Sequence, residues 1–167
     1  MQLVADGLGP MSAGDRLVDA YAGVGLFGAT LADRTPGLRV TAVESARSSV
    51  ADAKVNLAGA AETGQARVIA STMAKWRPSK ADAVVADPPR AGLGKQGVGK
   101  VEATGAGRVV LISCDAASAG ARRRSARQAG LQPRLGHPGR PVPPHPPHRV
   151  GGGVLQIALV TAHSAKR

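Results

Sequence analysis

Short apolar runs alternate with stretches whose apolar residues fall three and four apart through the first two thirds of the chain. The runs predict strands at Arg16 to Ala20, at "LRVTAVE" (38 to 44), at "ARVIA" (66 to 70), at "ADAVVAD" (81 to 87) and at "RVVLIS" (108 to 113). Helical spacing covers Val24 to Asp33 and Ala46 to Leu57, while Gly92, Gly94, Gly97 and Gly99 break the segment before the last strand. Apolar strands separated by helices imply a doubly wound, mainly parallel α/β sheet covered on both faces. In such a sheet ligands sit beyond the carboxyl ends of the strands. Asp19, Glu44, Asp87 and Cys114 all fall there.

The pattern stops near residue 118, and composition changes with it. All 11 acids lie at or before Asp115, against 13 basic residues; beyond it stand nine basic residues and no acid. Residues 116 to 152 also hold seven of the twelve prolines and three of the four histidines. The expected organisation is one domain over 1 to 118 and a basic Pro/His/Gly-rich tail over 119 to 167. A chain of 167 residues suits a single core. One cysteine closes no internal disulfide, and "MQLVADGLGP" lacks the pattern of a secretory leader, so a reducing cytoplasm is expected; a monomer is expected as well. No apolar run reaches the ~18 residues of a membrane span.

Candidate chemistry begins with "DAYAGVGLFG". Gly23, Gly25 and Gly28 fit the G-x-G-x-x-G pattern of dinucleotide binding, and Glu44 stands near the place of its ribose-binding acid. Asp19 argues against a dinucleotide, because a carboxylate beside the glycine turn repels a pyrophosphate and attracts an ammonium. S-adenosyl-L-methionine, with an amino group, a ribose diol and no phosphate, suits the two acids better. The alternative is that Asp19 caps the following turn and Glu44 is a solvated strand end.

In "VVADPPRAGL" (84 to 93) two prolines after Asp87 stiffen the backbone and would position a reacting base. A tight turn capped by Asp87 is the competing explanation. Cys114 in "RVVLISCDAAS" is by itself either a small core residue or a thiolate favoured by a following helix N-terminus.

Taken together, "DAYAGVGLFG", the acid Glu44, "DPPRAGL" and "VLISCDAAS", in this order over roughly residues 12 to 118, resemble the RNA 5-methyluridine methyltransferases. The resemblance implies methylation of carbon 5 of a uridine in transfer or ribosomal RNA with S-adenosyl-L-methionine. It implies cofactor contacts at Asp19, Tyr21, Gly23, Gly25, Glu44 and Asp87, and substrate contacts at Pro88 and Arg90. Cys114 and Asp87 would be catalytic, Cys114 adding to carbon 6 of the uracil. No metal is implied. An NAD-dependent oxidoreductase fragment and a non-catalytic basic RNA-binding module are the rival readings.

The chain also departs from this family. The resemblance implies a glutamate base in a C-terminal Pro/His-rich segment, and an N-terminal RNA-binding region followed by a Phe-x-Gln segment. No acid follows Asp115, and the chain is expected to begin after the N-terminal parts. A shift of reading frame would account for the tail. Permitted codons for Ala119 to Gln128, read one base later, spell Leu-Ala-Arg-Asp-Ala-Ala-Ala-Leu-Ala. Those for Arg140 to Val150 spell Asp-Leu-Phe-Pro-His-Thr-Pro-His-Ile-Glu. Both segments look like the family's, and both need the same shift. The expectation is a frameshifted, disordered tail from about residue 118, leaving the sheet incomplete at its C-terminal edge and the chain inactive. "PVPPHPPH" as a true polyproline linker, or His137, His145 and His148 as metal ligands, are the other readings of the tail. "VLQIALVTA" (154 to 162) could add a final strand.

Overall fold

A computed structural model describes residues 1–113 and the strand residues 149–150, 153–154 and 156–160. Five parallel strands form its centre: β1 (Arg16–Ala20), β2 (Arg39–Glu44), β3 (Ala66–Ala70), β4 (Ala83–Ala86) and β5 (Arg108–Ser113). Two two-residue strands, β6 (Arg149–Val150) and β7 (Gly153–Val154), pair only with each other. The last strand, β8 (Gln156–Val160), joins β5 in antiparallel sense, so the sheet order is β3-β2-β1-β4-β5-β8. This is the doubly wound, mainly parallel sheet expected from the pattern, with a single antiparallel strand at its C-terminal edge.

Alternation along each strand builds two cores, because successive side chains leave opposite faces of a sheet. On one face Leu17, Val40, Ala42, Ala83, Val85 and Val110 are buried under the helices α1 (Gln2–Leu8) and α2 (Leu26–Arg34). On the other, Val18, Val43, Val84 and Val109 meet Met73, Trp76 and Val101, the last carried by α5 (Gly94–Ala103). The helices α3 (Arg47–Asn56) and α4 (Ala58–Glu62) connect β2 to β3.

Three helices depart from the expected pattern. The N-terminal segment, read only for targeting, is helix α1. It buries Val4 and Leu8 one turn apart, and the Arg108 guanidinium holds its end by donating to the Leu8 and Pro10 carbonyl oxygens at 2.8 and 2.7 Å. The short α4 was also unforeseen. The glycine-broken segment is α5, despite a cost of about 1 kcal/mol for each interior glycine. Packing offsets that cost, because Gly97 and Val101 are buried. A Cβ on Gly97 would stand 3.1 Å from the Tyr21 hydroxyl and 3.2 Å from the Leu93 Cβ.

Candidate functional site

The register aligns Ala20 with Val43 on one side and with Ala86 on the other, so Tyr21 and Asp87 follow the last residues of β1 and β4, and Glu44, the last residue of β2, stands level with them. Asp19 lies one position inside Ala20. The backbone ties the three strand ends together: the Ala22 N–H donates to the Val43 carbonyl at 3.0 Å and the Asp87 N–H to the Ala20 carbonyl at 3.3 Å. Three acids distant in sequence thus share one edge.

Asp19 is buried beneath the glycine turn. One oxygen, Oδ2, accepts the Gly28 N–H at 2.8 Å. Helix α2 begins at Leu26 after Gly25, which has no side chain to cap it; Asp19 supplies the missing acceptor from the strand. The other oxygen, Oδ1, is buried with no hydrogen-bond partner among the described residues. Desolvation is the main cause that pushes this carboxyl up to about 7; the Gly28 bond opposes it, and the charges of Asp87 and Glu44 add to it. The sequence suggested a fixed charge facing the turn. The structure gives the cap that stood as the alternative, and its carboxyl holds a proton up to about pH 7.

Glu44 is the opposite case. Its Oε1 accepts the N–H groups of Ser45 at 2.6 Å and Ala46 at 2.8 Å, and its Oε2 accepts that of Gly23 at 2.9 Å. Partial burial works against the charge, yet the bonds from Ala46, Gly23 and Ser45 hold the carboxyl below its ordinary value. With three acceptor positions filled, Oε2 keeps one free for a hydroxyl donor. A half-buried, ionised carboxylate at the end of β2 fits a ribose diol, and it already fixes the first glycine of the turn.

The glycines have distinct geometric reasons. Gly25 adopts φ 78°, and a Cβ there would come within 3.2 Å of the Ala53 Cβ on α3. Gly28 lets α2 lie directly on the sheet, since its Cβ would be 2.9 Å from the Val40 Cγ1 and 3.2 Å from the Asp19 Oδ2. Tyr21 is half-buried and takes φ 57°, the left-handed region that costs a side-chain-bearing residue of order 1 kcal/mol. Its ring packs with the second core, its hydroxyl rests over Gly97, and burial raises its phenol. Gly97 belongs to this constellation and was missed by sequence reasoning. Its signal was masked by the neighbouring Gly94 and Gly99, with which it made the segment read as broken.

Asp87 follows β4 and opens to solvent on one side; desolvation of its carboxyl raises its pKa. Beyond it Pro88 is half-buried and Arg90 exposed, and the Gly92 N–H closes the loop onto the Pro89 carbonyl at 2.7 Å. The structure therefore gathers Asp19, Tyr21, Gly23, Gly25, Glu44 and Asp87 at one edge, with Pro88 and Arg90 on the adjoining loop. Cys114, His137, His145 and His148 lie outside the described residues, as does the tail from 119 apart from the residues of β6, β7 and β8. Among the described residues there is no group of three or more His, Cys, Asp or Glu side chains able to hold a metal ion. Nor is any of their helices long and apolar enough to cross a membrane.

A family model described as the methyltransferase small domain matches residues 2–103. An uncharacterised RNA methyltransferase of Streptomyces coelicolor is 38% identical over 120 residues, covering 69% of this chain and 25% of that protein. One from Streptomyces avermitilis is 36% identical over 123 residues, covering 71% and 28%. The chain thus spans about a quarter of the length of these curated relatives. Among solved structures, the Pyrococcus abyssi tRNA (uracil-54, C5)-methyltransferase in complex with S-adenosyl-L-homocysteine superposes with a TM-score of 0.67 at 21% identity, covering 96% of this chain and 36% of that one. A SAM-dependent methyltransferase from Aquifex aeolicus gives 0.70 at 13% identity, covering 96% and 89%.

Proposed function

Because the chain belongs to the methyltransferase small domain family, we propose that it is the catalytic domain of an S-adenosyl-L-methionine-dependent RNA methyltransferase acting on carbon 5 of a uridine. The observation that carries the cofactor part is the edge shared by Asp19, Glu44 and Asp87, with Glu44 ionised and holding Gly23. When bound there, the cofactor supplies an activated methyl group on a sulfonium. The chain's residues would bind it by the ribose diol at Glu44, against the turn of Gly23 and Gly25, with Tyr21 packed beneath. Asp19 acts from below by fixing the start of α2.

The uridine part rests on the resemblance of "DPPRAGL" and "LISCDAAS" to the uracil-5 family. Carbon 5 of uracil is a weak nucleophile. Addition of the Cys114 thiolate to carbon 6 moves the ring electrons toward the carbonyl oxygen, giving an enolate whose carbon 5 takes the methyl group. A base then removes the carbon 5 proton, and the thiolate leaves as the double bond returns. In this reading Asp87 stands between uracil and methyl donor, Pro88 shapes the loop, and Arg90 faces the substrate. Without an acid after Asp115 this chain would lack that base and be inactive, and we attribute the tail to a single-base shift near residue 118. The substrate RNA, transfer or ribosomal, would be met by a monomer in the cytoplasm.

S-adenosylhomocysteine should raise the melting temperature of the chain and NAD should not; the reverse result returns it to the dinucleotide reading. A full-length protein with the tail restored to the shifted frame should form a covalent adduct with RNA containing 5-fluorouridine, and Cys114→Ala should abolish it. Resequencing across the codons for Ser118 to Gly120 tests the shift directly. Stop codons in the alternative frame before the Pro-His-Thr-Pro-His segment would remove it.

A further inference from the structure

The opposite edge of the sheet, where the parallel strands begin, holds a cavity of about 260 Å³ that plays no part in the site above. Arg16, Arg39, Arg67 and Lys80 line it with Thr41, Gln65 and Ser79, and no carboxylate is among its lining residues. Arg16 and Arg39 are register partners on neighbouring strands, about 4.8 Å apart, a like-charge pairing that costs stability when nothing lies between. Arg16 turns away to Asp82 at 3.2 Å. Arg67 is set in place, donating from Nε to the Thr41 Oγ1 at 3.0 Å and from Nη2 to the Ser79 Oγ at 3.1 Å. The side chains of Arg39 and Lys80 are exposed, without a hydrogen bond or ion pair among the described residues.

We propose that this groove is a second RNA-contact site, which takes backbone phosphates of the substrate strand at the edge remote from the methylated nucleotide. The proposal rests on the RNA reading above. A guanidinium held by two hydroxyls presents its remaining N–H donors in a set direction, which suits a phosphate oxygen. β1 separates the two edges by roughly 15–20 Å, at ~3.3 Å per residue. An RNA strand of several nucleotides reaches from one to the other. The contacts are to phosphate, so they add affinity without choosing the base.

The test is fluorescence anisotropy of this chain with a single-stranded RNA oligonucleotide over a series of salt concentrations. Arg39→Ala/Lys80→Ala should weaken binding and lower the slope of log affinity against log salt by about 1.4, at ~0.7 per lost phosphate contact. The charge-matched control Lys54→Ala/Lys75→Ala should leave the slope at the parent value, and S-adenosylhomocysteine affinity should be the same in all three proteins. An unchanged slope in Arg39→Ala/Lys80→Ala, or an equal fall in the control, would overturn the groove while leaving the methyltransferase reading intact. Loss of affinity for a poly-glutamate peptide but not for RNA would assign the groove to an acidic polypeptide and also overturn it. A parent chain that binds S-adenosylhomocysteine but no RNA removes the groove and the RNA reading together.

Discussion

The two edges of this sheet carry opposite charges and stabilise them by opposite means. At the amino edge β1, β2 and β5 begin with Arg16, Arg39 and Arg108, while at the carboxyl edge stand Asp19, Glu44 and Asp87. Arg16 pairs with Asp82, Arg108 pairs with Asp15 and donates to the Leu8 and Pro10 carbonyls, and the Arg39 side chain is exposed without a partner among the described residues. Asp19 and Glu44 are held inward by the backbone N–H groups of Gly28, Gly23, Ser45 and Ala46, while Asp87 stands at the surface. Long side chains can leave a sheet edge and remain solvated. Short carboxylates cannot, so the backbone must come to them, and a turn built around carboxylates becomes a ligand cradle.

Forcing bulk into the carboxyl edge should have the largest effect. Gly28→Ala places a Cβ 2.9 Å from the Val40 Cγ1 and should cost about 1–3 kcal/mol of stability through overpacking, read from urea denaturation. Unchanged stability would mean that α2 shifts freely, and the edge would not be the rigid one described here.

Charge at that edge can be separated from shape by Asp19→Asn, which keeps an acceptor for the Gly28 N–H. The folded pKa of Asp19 is about 7 against an ordinary value of 3.8, so between these values the folded state binds the extra proton. Stability from this group is present below about pH 4 and is lost as pH rises toward 7. The parent should therefore lose stability relative to Asp19→Asn between pH 4 and pH 7. Glu44, whose pKa is lowered, acts with the reverse sign, losing its contribution as pH falls through the folded value. Denaturation curves for parent and Asp19→Asn that stay parallel across this range would show that Asp19 is not the buried, proton-holding member.

Glu44→Gln sharpens the contrast on the binding side. It should weaken S-adenosylhomocysteine binding by about 1–3 kcal/mol in calorimetry, the value of a hydrogen bond to a charged acceptor. At the amino edge Asp82→Asn should do least, leaving the melting temperature at the parent value, because the Arg16–Asp82 pair is exposed and screened. A clear loss of stability there would remove the asymmetry between the edges.

Much of this was legible in the sequence. Strands β1, β3 and β5 were predicted to the residue, because five- and six-residue runs of Leu, Val, Ile and Ala bounded by polar residues have few other uses. The ends of α2 and α3 moved by one or two residues, as helix ends do. Helix α5 was hidden, since local propensity counts three glycines against it while its stabilising contact with Tyr21 comes from the turn after β1, over 70 residues away. The acids were legible as a set but not in their separate roles.

Order along the chain determined the alternation of strands and helices, and therefore that acids at strand ends would share one edge. Those follow from periodicity and from the crossover rule of parallel sheets, which are local and topological. Only the tertiary structure decided that Asp19 lies buried beneath α2 with a raised pKa, that Glu44 is held ionised by three N–H groups, and that Arg16 stands beside Arg39 across a groove. Protonation and pairing depend on desolvation and on distances between segments, and a linear pattern of residue types contains neither.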